Sequence, residues 1–592
     1  MTPQHRRYFE KLGINSIIGL SLLAPVRYDD LTPSVYPKLD ELNVVEISVK
    51  SSQKTPKFFK VIAIAWGLEA ELIIFNPKNF HYLAFKAGNK FFIRALVQRN
   101  FGKLQLVQPK ILSQIGGIFS VYKTELASKT MCSLIDKYLK EESLIEEGLP
   151  RWASKKLISL HKPIITQNYV KSLKEAMNAL KFAEIYLFLK TLNSKKQYFK
   201  ASSVLVSDER EFIKSLPFSL TNDQKKAIAD IKSDLAGQIA AKRIIMGDVG
   251  SGKTVVMFAA VMMAYPKKTV LMVPTTILAM QIYNETKKLL PLFVRVVLAL
   301  GGEKNTQLDE VDFIIGTHAL LYRELPKCDL VMIDEQHRFG TAQRDAIHKM
   351  VSEGKTHPHF LQFSATPIPR TMSLIHSSLV NYSFIKETPF RKNIDTYIID
   401  KKGFGRMLSH VENEMKEGRQ TVIIYPLVEE SEILSYQSID EGRSFWEKRY
   451  SGVFVTHGKD KDKERILDEF AKNGNILLAT TVVEVGISLP KLSTIVIVGA
   501  ERLGLATLHQ LRGRVSRTGL KGYCFLYTNQ PSSTRLNEFA NTVSGFDIAE
   551  LDLKYRQGGD ILGGVLQHGA QFKWFSLSED GDILRSVLSH MG

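Results

Sequence analysis

Cysteine is scarce in this chain. There are three in 592 residues, Cys132, Cys328 and Cys524, far apart in sequence. That excludes a disulfide framework and a zinc site built on paired cysteines, and it suits buried thiols in a reducing compartment. Long apolar runs are also missing. The two longest, near Ile17–Val26 and Val255–Tyr265, reach about ten or eleven residues, whereas a membrane-spanning helix needs about twenty. The first residues, MTPQHRRYFEKLG, hold no apolar stretch of a secretory signal. No low-complexity stretch or short-period repeat is evident. Together these absences lead us to expect a cytoplasmic protein.

Acidic residues are the minority charge. Lys and Arg number 79 against 61 Asp and Glu, a formal net charge of +18. Such an excess suits a polyanionic partner, because Lys and Arg displace counterions from phosphate backbones; a basic proteome would produce the same balance. Hydrophobic content of 44% and charged content of 24% are those of ordinary globular chains. The length is too great for one core and suggests about four domains.

One stretch organises the rest. Gly247-Asp248-Val249-Gly250-Ser251-Gly252-Lys253-Thr254 fits the G-x-x-x-x-G-K-[ST] phosphate loop at every fixed position. The apolar run Arg243–Met246 before it reads as a buried strand, and TVVMFAAVMMAY after it reads as a core helix. Gly247, Gly250 and Gly252, with Ser251 between them, let backbone N–H groups turn toward a phosphate, and the helix N-terminus adds partial positive charge. Lys253 would reach the β- and γ-phosphates of ATP, and the Thr254 hydroxyl would hold Mg²⁺.

Around this loop the chain changes texture several times. Residues 1–43 mix short helical patterns with a turn at Val26–Asp30. Residues 44–115 carry five short β-rich runs (VVEISV, FKVIAIAW, AELIIF, KFFIRALV, KLQLVQP) separated by turn residues, the pattern of a small barrel such as an OB-fold. Ten aromatics lie in it, of which two or three are expected to face solvent; Phe75 and Phe80, beside the Asn76-Pro77 turn, are the best candidates for base stacking. Residues 116–215 read as a helical connector, with Leu173, Ala176, Met177, Leu180, Ala183 and Leu187 on one face. Residues 216–390 and 391–540 each repeat strand, loop and helix, implying two α/β domains with parallel sheets whose ligands sit at the carboxyl ends of the strands. Residues 541–592 form a separate C-terminal piece.

A second chemical signal follows. Leu330–Ile333 runs into Asp334-Glu335-Gln336-His337, about eighty residues after the phosphate loop. Asp334 would hold Mg²⁺ through water and Glu335 would polarise the attacking water. A helix cap is the alternative for an Asp-Glu pair taken alone.

The order of these motifs resembles a superfamily-two helicase motor, and residues from about 216 to 570 resemble the RecG family. The stretches that carry the likeness are LTNDQ at Leu220–Gln224, GDVGSGKTVV at Gly247–Val256, GTHAL at Gly316–Leu320 and IDEQHRFG at Ile333–Gly340. They continue with SATPIPRT at Ser364–Thr371, ATTVVEVG at Ala479–Gly486 and ERLGLATLHQLRGRVSR at Glu501–Arg517. The phosphate loop alone matches many ATPases; DEQHRFG with ATPIPRT and the last stretch does not.

The resemblance implies an ATP-dependent DNA helicase or translocase, with ATP and Mg²⁺, acting as a monomer on stalled replication forks and Holliday junctions in recombination and repair. It implies a nucleoid-associated location and a single-strand-binding protein as partner. The barrel takes the place of the family's wedge. Gln224, with Phe218 before it, implies adenine recognition, to which a residue at a helix start is the alternative. Arg514 and Arg517, with Gln510 a turn earlier, imply arginine fingers reaching the γ-phosphate; a solvated basic helix face is the alternative. Ser364, Thr366 and His337 imply coupling of hydrolysis to domain movement. Thr275, Thr317, His318 and Thr480, at strand ends, suit contacts along a DNA backbone; ordinary helix capping is the alternative.

From Gly545 the family carries a helical hairpin and loop linked to movement on duplex DNA, in which Asp552, Arg556 and Gln567 fit the pattern. Where the family usually has Arg-Gly-Pro-Gly-Glu, this chain has Arg556-Gln557-Gly558-Gly559-Asp560, so the loop lacks a proline-fixed φ. Ser516 stands where the family usually has Gly. The N-terminal part is shorter than in longer members, and a weaker grip on duplex is expected. A related repair or primosomal translocase, and a junction-binding clamp whose ATPase is regulatory, are the nearest other readings. The barrel and the lack of zinc cysteines oppose the first. A P-loop ATPase acting on small molecules is the third.

Overall fold

The structure is a computed structural model that describes the chain apart from residues 1, 56, 164–168, 195, 301–307, 324, 353, 366–368, 378–379, 390–392, 427–435, 437, 459, 461, 481–488, 516–518 and 556–571. The chain forms two compact units. The first comprises Met1–Lys190, Phe572–Ser576 and Asp582–Gly592, and the second Thr191–Gln571 with Leu577–Gly581.

The five β-rich runs of the first unit are strands Leu42–Lys54 (β1), Phe58–Ala65 (β2), Leu68–Phe75 (β3), Lys90–Asn100 (β4) and Lys103–Ile111 (β5). They close into a barrel in the order β1-β2-β3-β5-β4. Strand β2 shows why: its residues alternate between buried and half-buried along the whole length, so one face fills the barrel. Val61, Ala63, Leu72, Ile74, Ile93, Ala95, Val97 and Leu106 are fully or almost fully buried there. A short helix, Asn79–Ala84 (α1), follows the Asn76-Pro77 turn, where only a turn was expected.

Val26–Asp30 is not the turn its sequence suggests. Arg27–Asp30 is a strand paired antiparallel with Ile118–Val121, Arg27 facing Val121. The partner lies some ninety residues away, so nothing local announces it. The apolar face expected around Leu180 belongs to helix Tyr169–Ser194 (α2), which buries Ala176, Leu180 and Ala183. The Glu184 carboxylate on this helix accepts hydrogen bonds from the backbone N–H groups of Lys573, Trp574 and Phe575 at 2.8–2.9 Å, which ties the returning chain to the first unit.

The second unit holds two parallel sheets. In the first are Lys242–Gly247 (β6), Thr269–Met272 (β7), Val296–Ala299 (β8), Phe313–Gly316 (β9), Leu330–Asp334 (β10), His359–Ser364 (β11) and Asn381–Ile385 (β12), ordered β8-β9-β7-β10-β11-β6-β12. In the second are Ile394–Ile399 (β13), Gln420–Ile424 (β14), Val453–Thr456 (β15), Ile476–Ala479 (β16), Leu492–Val498 (β17) and Gly522–Tyr527 (β18), ordered β13-β18-β17-β14-β16-β15. The apolar runs Arg243–Met246 and Leu330–Ile333 are central strands, β6 and β10. Strands β8, β12 and β13 are less buried: β8 is half-buried up to the buried Ala299, β13 is half-buried apart from the exposed Tyr397, and β12 alternates after an exposed Asn381. Each of the three lies at a sheet edge; β12 and β13 lack the continuous apolar run of a strand buried on both faces, whereas β8 is apolar throughout but only four residues long.

Candidate ATP site between the two parallel sheets

The phosphate loop leaves the carboxyl end of β6 and enters helix Lys253–Ala264 (α4), in which every residue from Val255 to Ala264 is buried. Burial of each of its larger side chains contributes about 1.5–3 kcal/mol, and this fixes the loop at its far end. Gly252 caps the helix at φ 78°, and a Cβ there would collide with Gln224 Nε2. The left-handed conformation therefore favours glycine, and a side chain there would displace the Gln224 amide. Lys253 Nζ donates to the Gly247 and Asp248 carbonyls at 2.8 and 3.3 Å. Thr254 is half-buried on the first turn of the helix.

Gln224 is 2% exposed. Its Oε1 accepts from Thr221 N and its Nε2 donates to Ser251 O at 2.8 Å, while Thr221 Oγ1 accepts from Gln224 N. This is a capping box for helix Asn222–Leu235 (α3), with the remaining bond bracing the phosphate loop. Here the helix-start reading describes the side chain, and its amide faces the loop. Phe218 is half exposed nearby in sequence.

Asp334 ends β10 and Glu335 follows with φ 50° and ψ 48°, a left-handed conformation rare for a side chain this size and of the kind concentrated at functional sites. Glu335 Oε1 accepts from Ala365 N at 2.7 Å, so the Asp-Glu pair and the Ser364-Ala365 turn at the end of β11 are joined directly. The side chain of His337, and all of Thr366, lie outside the described residues; the observed link between the two motifs is Glu335. Burial, and then the Glu335 charge, push the Asp334 carboxyl well above the usual range, with Lys253 pulling the other way. Among the described residues Asp334 Oδ1 has no hydrogen-bond partner. A buried, unpartnered carboxylate oxygen is costly unless a cation or donor meets it. The donor set, Asp334 with the Thr254 hydroxyl, is hard oxygen of the kind Mg²⁺ takes.

The second sheet reaches this loop through helix Leu505–Arg512 (α5). His509 Nε2 lies 2.7 Å from Asp248 Oδ1, with both residues buried. Gln510 Oε1 accepts from Arg338 Nη2 at 2.6 Å. A Cβ on Gly513 would sit 3.3 Å from Val249 Cβ. Arg514 follows immediately and is buried, while Arg517 lies outside the described residues. Arg512 works behind the helix: it donates to the Phe539 and Thr542 carbonyls and lies 4.2 Å from the Phe539 ring centroid. The Asp552 carboxylate, on helix Gly545–Tyr555 (α6), accepts from Leu505 N and so caps α5. Arg556 and Gln567 lie outside the described residues.

Gln510 is legible in its motif, whereas nothing in the quoted motifs marks His509 or Arg338, which stand in them as well. Their roles depend on a partner in the other half of the unit.

Of the residues expected along a DNA backbone, Thr275 and Thr317 accept from Leu278 N and Ala319 N as helix caps, and His318 is exposed beside them. Thr480 is half-buried after β16. On the barrel, three of the ten aromatics are exposed: Phe75 at 48%, Phe80 at 53% and Phe101 at 98%. Phe101, the most exposed of the three, lies in a different turn from the Asn76-Pro77 pair. Among the described residues no helix is long and apolar enough to cross a membrane.

Residues 221–375 match the DEAD/DEAH box helicase family, and residues 404–519 match the helicase conserved C-terminal domain. The chain is 42% identical over 598 residues to an ATP-dependent DNA helicase RecG of Helicobacter pylori strain J99, covering 97% of this chain and 96% of that one. It is 32% identical over 635 residues to the RecG helicase of Thermotoga maritima, covering 98% and 81%. A solved structure of RecG bound to a three-way DNA junction superposes with a TM-score of 0.56 at 27% identity, covering 100% of this chain and 84% of that one.

Proposed function

The chain belongs to the RecG family of ATP-dependent DNA helicases, and from that membership we propose that it couples ATP hydrolysis between its two parallel sheets to movement on branched DNA, such as stalled forks and Holliday junctions. The observation that carries this reading is the contact of α5 with the phosphate loop, His509 to Asp248 at 2.7 Å. A nucleotide gripped by both sheets gives a cleft that closes on ATP and opens after hydrolysis, which is how a motor of this class steps.

The residues divide the chemistry as follows. Lys253 exchanges its two carbonyl bonds for β- and γ-phosphate oxygens. Glu335, held by Ala365 N, orients and polarises the attacking water and passes its displacement to the turn after β11. Arg514 and Arg517 stabilise charge on the transferring phosphoryl group from the second sheet. Thr254 and Asp334 are the residues that would hold Mg²⁺, which when bound neutralises phosphate charge. Gln224 keeps the phosphate loop in shape through Ser251.

The barrel serves as the wedge, with Phe75 and Phe80 capping the parting bases, and Thr275, Thr317, His318 and Thr480 line the path of a DNA backbone. Phosphate and shape recognition of this kind carries little sequence preference. Strand separation of a synthetic fork by the full chain with ATP tests the reading. Wild type is expected to convert the fork, and Lys253→Ala to bind it without converting it. Conversion without ATP, or fork protection undiminished in Lys253→Ala, would favour a clamp instead.

A further inference from the structure

Two hairpins of the barrel are closed by the same unusual turn. Between β2 and β3 stand Trp66 and Gly67 at φ 50° and 76°, and between β4 and β5 stand Phe101 and Gly102 at φ 47° and 77°. Two consecutive left-handed residues make the type I′ turn, which favours Asn-Gly and disfavours a bulky first residue. Trp66 has a structural reason to be there: its Nε1 donates to Ser34 O at 2.7 Å and its ring packs on the barrel core.

Phe101 has none of this. It is 98% exposed and, unlike Trp66, does not pack against the barrel core. The turn would form better, and the surface would be more soluble, with Asn at this position. A residue that is both strained and solvated points to a task outside the fold.

Its surroundings indicate which task. Arg99 and Lys103 flank the tip and are exposed; Lys103 also pairs with Glu71 at 3.3 Å, but at 70% exposure that pair is easily exchanged. An aromatic between two cations is how single strands are held, the ring under a base and the cations beside the phosphates. In an OB barrel the loop between the last two strands borders the oligonucleotide face. Phe75 lies at the other end of β5, where its N–H donates to Gln108 Oε1. Five residues of strand separate Gln108 from Lys103, about 17 Å.

We propose that Phe101 is a second base-stacking station of the barrel, taking an unpaired nucleobase of a single-stranded arm about 17 Å from the Phe75–Phe80 end. This rests on the reading that the barrel meets branched DNA. The test is binding of the full-length protein, at one stated salt concentration, to a fork with a single-stranded arm and to the same fork with that arm duplexed. Phe101→Asn is expected to weaken binding to the single-stranded-arm fork about five- to a hundredfold. The same variant should keep or raise the melting temperature and leave the duplexed-arm fork within about twofold, and Phe101→Tyr should match wild type. Binding by Phe101→Asn equal to wild type on the single-stranded arm would overturn the proposal, as would equal losses in Phe101→Asn and Phe101→Tyr. Should Phe101→Asn lower the melting temperature, Phe101→Leu decides, and wild-type affinity in it would overturn the proposal. If the wild-type ATPase ignores DNA altogether, it is the functional reading that fails.

Discussion

His509 Nε2 meets Asp248 Oδ1 at 2.7 Å, joining a helix of the second parallel sheet to the phosphate loop of the first. Asp248 also accepts from Val249 N at 2.7 Å, so one carboxylate holds the loop's shape and its partner helix together. His509→Ala is expected to lower DNA-stimulated turnover about 10- to 100-fold, because the Asp248 carboxylate loses one buried hydrogen bond and the helix loses its hold on the loop. DNA affinity without nucleotide should stay within about threefold. Steady-state ATPase and DNA binding on the same preparation check this, and unchanged turnover would show that the contact is incidental.

Arg514→Ala should lower turnover by roughly 10²–10⁴, with a smaller change in nucleotide affinity, since a transferring phosphoryl group develops its demand for positive charge in the transition state. Single-turnover hydrolysis separates the two. A variant that loses ATP binding alone would place Arg514 in ground-state contact only.

Gln224 is expected to act on the loop and not on the base. Its amide is committed to Thr221 N and Ser251 O, so Gln224→Ala should weaken ATP and GTP alike, by about 1–2 kcal/mol for the lost buried bonds. Competition between the two nucleotides measures it. A change confined to ATP would restore adenine recognition.

His161 gives the first unit a pH-dependent stability. The ring is buried, with Nε2 bonding the Ser21 carbonyl and Nδ1 the Tyr122 hydroxyl, both at 2.8 Å. Burial pushes its pKa down to about 4. A histidine that folds neutral binds fewer protons than the unfolded chain below about pH 6.5. Its contribution is therefore fully present above that value and is lost as pH falls toward 4. The loss is about 2 kcal/mol at pH 5. Denaturant midpoints for the first unit at pH 7 and pH 5 should show it, and His161→Gln should flatten the difference.

Glu184 holds three backbone N–H groups of Lys573–Phe575. Glu184→Ala should free that segment at a cost of roughly 2–3 kcal/mol, read as faster proteolysis near residues 572–576. Cleavage at the wild-type rate would contradict it.

How much of this was legible in the sequence follows from where each feature's partners lie. The phosphate loop, the Asp334-Glu335 strand end and the five barrel strands are local patterns, so spacing and periodicity reveal them. His509 and Asp248 are 261 residues apart, and no local pattern pairs them. The strand Arg27–Asp30 reads as a turn because its register is set by Ile118–Val121. Gln224 was read by its chemistry, and the structure shows a competing use for it, three residues after the Thr221 it caps. Phe101 stands among the turn residues between two β-rich runs, yet exposure of an aromatic there becomes visible only when Trp66, in the same kind of turn, proves to be packed.

The most direct measurement is the ATPase rate of the full chain with forked DNA, linear duplex, single strand and no DNA, at one stated salt concentration. A nucleotide cleft that drives movement on branched DNA predicts the highest rate with the fork and a low rate without DNA. Equal rates with and without DNA would contradict it.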